Sequence, residues 1–164
     1  MTSASDANSD APMDPQAERR LAMDLFNAVW SMVDKPERTT AEDDLMIHSA
    51  HASRYHWGNV GTSNNVARGE WQISRIYAVL GRAEPCRHHA QRVLDLCTEN
   101  GIADWDLACA YEALARAAAV AGDAAAARAA TERALAAAEN IAEAEDRDLL
   151  LADLETIPGQ ARFW

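Results

Sequence analysis

The densest chemistry in the chain lies between Asp44 and Trp57, where His48, His51 and His56 stand close together. Imidazole is the commonest metal ligand in proteins and the side chain that changes charge near neutral pH. If this stretch is helical, about 100° per residue places Asp44, His48, His51 and Tyr55 within about 60° of one another. His56 then lies about 80° from His48, beside Leu45 and Ala52. Met46, Ala50 and Trp57 make a second apolar stripe, which leaves Asp43 and Arg54 as the solvated wedge. A helix that is apolar on two sides is sandwiched between others, so the histidines are expected to be semi-buried. Their spacing is not that of HExxH, and plain hydrogen bonding within a helix interface accounts for the same residues.

Carboxylates and a further histidine extend the set. Counting outward from a turn at Gly58 to Gly61 places Glu70 across from His51, at the border of an apolar arc of Val66, Ile73, Tyr77 and Leu80. From Leu107 to Ala121 the only charged residues are Glu112 and Arg116. So apolar a helix is central, and a carboxylate on it must be paired or coordinated. Arg116, four residues on, is the direct ion-pair candidate. His89 borders the stripe of Cys86, Ala90, Val93 and Cys97, whereas His88 points about 100° away, towards solvent. His51, His56, Glu70, His89 and Glu112 are therefore expected to converge in the interior. A mixed imidazole and carboxylate set suits a divalent transition metal such as zinc, iron or manganese, with copper a further candidate. Helical bundles house such centres, although the doubled Glu-x-x-His pattern of di-iron bundles is absent.

Punctuation marks seven helices that would position these residues. The first runs from Pro15 to about Asp34 and stops before Pro36. The second opens at Thr40-Ala41-Glu42-Asp43, a capping-box-like start, and reaches about Trp57. The third follows Thr62 or Ser63 and ends at Gly81. In the fourth, Pro85 occupies the first turn, where its missing N–H is harmless, and Gly101 closes the helix. The fifth is capped by Asp104 and ends at Gly122, the sixth runs from Asp123 to about Asn140, and the seventh from about Glu143 to Ile157. Every connection is short, so consecutive helices must fold back as antiparallel hairpins.

The third and fourth segments recur as the fifth and sixth, displaced by 41 residues, the offset between Gly81 and Gly122. Ala67 maps to Ala108, Ile73 to Leu114, Val79 to Val120, Ala83 to Ala124 and Leu94 to Leu135. A fixed period of this size signals a solenoid. The pattern of a large then a small residue (Ile73-Ser74, Leu114-Ala115), with Tyr77 or Ala118, a glycine at the turn, and small Cys86 or Ala127 on the second helix, resembles the tetratricopeptide repeat. The resemblance covers Thr62 to Asn140, in units longer than the usual repeat and without its closing proline. It implies an all-α stack of helical hairpins, with a concave face that holds a peptide or protein partner.

Composition narrows the rest. A net charge of −11 repels phosphate backbones and anionic lipid, so neither nucleic acid nor membrane is an expected partner. No apolar run approaches the roughly 20 residues of a membrane span. Residues 1–14, rich in Ser, Ala and Asp, are not patterned as a signal peptide and are expected to form a disordered tail ahead of a single helical domain over 15–157. The three cysteines lack metal-type spacing and fit small buried residues in a reducing cytoplasm. Five tryptophans against two phenylalanines suggest core spacers at Trp57 and Trp71, with Trp105 placed to line a groove. The C-terminal tail, 158–164, carries Phe163 and Trp164 and is expected to fold back onto the body. No phosphate loop or nucleophile elbow is present. Two functions follow: a helical-repeat scaffold for a peptide or protein partner, a second copy of the chain among the candidates, or a metal-binding protein built on the interior His/Glu set.

Overall fold

The computed structural model describes residues 13–164. The tail expected over 1–14 lies outside these residues except for Met13 and Asp14. Asp14 is the N-cap of the first helix and accepts the backbone N–H of Ala17. Seven helices follow: α1 (Pro15–Val33), α2 (Thr40–Val60), α3 (Ser63–Val79), α4 (Ala83–Asn100), α5 (Asp104–Val120), α6 (Ala124–Ala138) and α7 (Ala144–Glu155). Among the described residues there is no strand.

Local chemistry accounts for the helix ends. Thr39 and Glu42 form a capping box at the start of α2, one residue earlier than the sequence suggested, and Thr62 and Asn65 do the same for α3. Asp123 caps α6 by accepting the N–H of Ala126. Asp104 does not cap α5. It sits inside the helix start at φ 59°, and its carboxylate accepts the N–H of Ala142, tying α5 to the α6–α7 loop.

The 41-residue offset is visible in the backbone. Gly81 and Gly122 adopt φ 67° and 78°, and each closes its helix with the same pair of hydrogen bonds. Gly81 N–H reaches Ala78 O and Arg82 N–H reaches Tyr77 O; Gly122 and Asp123 repeat this with Ala119 and Ala118. This Schellman closure needs a left-handed residue, which glycine adopts without a Cβ clash.

Consecutive helices pack on one another, and the odd-numbered ones also touch in order, α1 with α3, α3 with α5 and α5 with α7. Among the described residues the backbones of the even-numbered helices stay farther apart and meet only through side chains such as His51 and His89, so the chain is a two-layered helical stack. The core threads through it. Val29, Met46, Ala50, Ile73 and Ile76 join α1, α2 and α3, and Cys86, Ala90, Ala113 and Ala117 join α4 to α5. Small residues on α5 let its neighbours approach closely on most sides. The C-terminal segment folds back, with Trp164 against the cluster of Ala115, Ala134, Leu154 and Ile157.

Candidate functional site

The five residues picked out as an interior set fall into three separate settings. His56 faces α1: its Nδ1 donates to Glu18 Oε1 at 2.9 Å, and Asn59 Nδ2 donates to the same oxygen at 2.7 Å. Glu112 is 1% exposed in the middle of α5, inside an ion-pair network. Only His51, Glu70 and His89 share a neighbourhood. Among the described residues no three His, Cys, Asp or Glu side chains already stand grouped around one point as an ion requires.

The neighbourhood of His51 lies where α2 and α4 flank α3. His89 Nδ1 donates to Glu70 Oε2 at 2.6 Å, and Arg54 Nε donates to Glu70 Oε1 at 2.9 Å. Glu70 thus links three helices with both of its oxygens. His51 Nε2 shares a 3.1 Å hydrogen bond with Tyr77 Oη, and the Tyr77 ring stacks on His89 with an interplanar angle of 16°. The two imidazole rings are 5.4 Å apart. Burial raises the Glu70 carboxyl, but the bonds from His89 and Arg54 outweigh it and hold the group below its ordinary value. Burial, then the neighbouring His89, lower the His51 imidazole against the opposing pull of Glu70.

The solvated wedge of α2 is not where the sequence placed it. Arg54 turns into the α2–α3 seam because Gly69 has no side chain there; a Cβ at Gly69 would stand 2.8 Å from Arg54 Cδ. The face open to solvent is instead Asp44, Leu45, His48 and Tyr55, with Leu45 56% and Tyr55 66% exposed. Periodicity alone separates the faces of a helix but does not say which one a neighbour covers.

Glu112 follows the ion-pair reading. Arg116 Nε and Nη2 reach Glu112 Oε1 at 2.8 and 2.6 Å, and Arg75 Nη2 approaches it at 3.4 Å. Arg75 also pairs with Asp153 at 2.9 Å, while Arg116 donates to the carbonyls of Asp153 and Thr156. Burial pushes the Asp153 carboxyl above its ordinary range, against the pull of Arg75. This network fastens α7 to α3 and α5. Its members Arg75 and Asp153 escaped the sequence reading, because nothing local announces a pairing across that many residues.

A second feature runs along the odd-numbered layer. Trp30 on α1 lies 5.3 Å from Trp71 on α3, and Trp71 lies 5.6 Å from Trp105 on α5, so three indoles form a continuous row. Arg75 sits over Trp71 and Arg68 over Trp105, at 5.6 and 5.4 Å from the ring centres. Asp106 fixes Arg68 through two bonds of 2.7 and 3.0 Å, and the Arg68 side chain stays 49% exposed. All three indoles are partly buried, and Trp71 and Trp105 also pack against neighbouring core clusters, as the core-spacer expectation for Trp71 has it. The 41-residue interval between Trp30 and Trp71 was the signal that could have found this row.

The three cysteines are free and buried, and burial pushes their thiols up, that of Cys97 to about 11. Thiols held protonated in this way are poor nucleophiles and poor ligands. No family model, curated protein or solved structure matches the chain.

Proposed function

We propose that this chain is a helical-repeat binding module, built from tetratricopeptide-like hairpins, whose odd-numbered layer holds an extended segment of a peptide or protein partner. The observation that carries the reading is the unbroken row of Trp30, Trp71 and Trp105 across three successive helices of that layer. Tryptophan and arginine dominate the residues that supply binding energy at protein interfaces. Here two arginines lie against the row, each held in place by a carboxylate, so the face is ordered before a partner arrives. Such pre-organisation lowers the entropic cost of binding. Leu149 on α7 is 61% exposed, one turn from Asp153, and offers an apolar contact at the far edge.

Nucleic acid is disfavoured as the partner by the net charge of −11. No helix among the described residues is long and apolar enough to cross a membrane. A cytoplasmic setting is supported by three buried cysteines left as free thiols.

Selection of a displayed random-peptide library on metal-free protein tests the reading. A recurring peptide class should emerge, and its binding should fall sharply for Trp30→Ala and for the surface change Arg68→Glu. No enrichment over successive rounds, or binding indifferent to both changes, would overturn it.

A further inference from the structure

Four of the five histidines of this chain lie on the helices that flank α3, His48 and His51 on α2 and His88 and His89 on α4, and His51 meets His89 across the seam between them. We propose that this seam binds a divalent transition-metal ion of the zinc, nickel or copper class, with His51 and His89 as fixed ligands and the surface imidazoles of His48 and His88 completing the site. The ligand set differs from the one expected from sequence. His56 and Glu112 have other partners, and Glu70 serves as a support rather than a ligand.

Geometry carries the proposal. Two imidazoles on one tetrahedral ion, with metal–nitrogen bonds of about 2.0–2.1 Å, hold their ring centres about 5 Å apart. His51 and His89 stand 5.4 Å apart before any ion is added. Each also has one nitrogen fixed from behind. Glu70 takes the Nδ1–H of His89, which leaves Nε2 with its lone pair. Tyr77 holds Nε2 of His51, and in the tautomer that donates Nε2–H to Tyr77 Oη the lone pair is on Nδ1. Outer partners of this kind orient histidine ligands in metal sites.

Electrostatics agree with the arrangement. The charged groups around the pair are Glu70, which offsets the incoming cation, and Arg54, whose charge Glu70 already engages. His48 and His88 are exposed, and the His88 ring centre lies 5.0 Å from that of His89. The third and fourth ligands are assigned to these two side chains, which their exposure leaves free to change rotamer.

The seam lies between even-numbered helices and is independent of the indole row. The experiment uses the full chain without a histidine tag, stripped with chelator and titrated with zinc, nickel or copper chloride. We expect one ion per chain and a rise in melting temperature, because an ion that binds only the folded state stabilises it. The double change His48→Gln/His88→Gln should leave the metal-free melt unchanged and weaken binding at least about tenfold. Tyr77→Phe, which removes only the support behind His51, should weaken it by about tenfold. Failure of all three ions to bind would overturn the proposal, as would affinity that survives the double change together with His51→Gln.

Discussion

Arg54 and Glu70 meet at 2.9 Å across the α2–α3 seam, at a place where Gly69 leaves room for the arginine stem to cross. The same carboxylate receives His89 from α4, so one buried glutamate ties three helices together.

Gly69→Ala should therefore cost stability although alanine is the better helix former. The new methyl would meet Arg54 Cδ at 2.8 Å and its Cα at 3.4 Å, so the side chain must leave or the helices must part. We expect a loss of about 1–3 kcal/mol in urea unfolding. A gain, as at an unconstrained helical glycine, would show that the seam has room to spare.

Acid should weaken the fold in two steps of definite sign. His51 is lowered below its ordinary 6.5, so the unfolded chain takes up this proton first and stability starts to drop as pH falls below 6.5. Glu70 is held below its ordinary 4.5; its contribution is full above that pH and is lost as pH falls through the lower folded value. Melting temperatures followed from about pH 8 to pH 3 should show both steps. His51→Gln should abolish the first and keep the second. An unaltered slope near neutrality in that variant would mean another group titrates there.

Glu112→Ala leaves the buried Arg116 without a carboxylate partner, while Arg75 keeps Asp153. Removing one partner of a buried pair costs roughly 3–5 kcal/mol, because the remaining charge is uncompensated. Since Arg116 also holds the carbonyls of Asp153 and Thr156, α7 should become the first site of limited proteolysis. A loss of about 0.5 kcal/mol, the size of an ordinary surface change, would contradict the burial of the network.

Gly81→Ala and Gly122→Ala should cost about the same as each other, about 1–2 kcal/mol, the penalty of a Cβ in the left-handed region. A Cβ added at either glycine would meet no heavy atom within 4 Å, so backbone strain is the whole effect. Clearly unequal losses in matched melts would break the structural equivalence of the two hairpins.

Seven helices, their short turns and the 41-residue internal offset were legible in the chain before any packing was known. Those features rest on local chemistry: caps such as Thr62 and Asp123, left-handed glycines at 81 and 122, and the period of apolar residues. The burial of Glu112 against Arg116 was legible for the same reason, because a pair four residues apart on a helix is a local fact. Which side of α2 faces solvent was not, and the fate of the histidines depends on it. His56 turned to Glu18 on α1, while His51 met His89 through the supports of Glu70 and Tyr77. The row of Trp30, Trp71 and Trp105 likewise exists only once three odd-numbered helices lie side by side. Periodicity sets the angle of each side chain about its own axis, but the rotation and register of one helix against the next come from packing, where a single missing Cβ at Gly69 redirects an arginine.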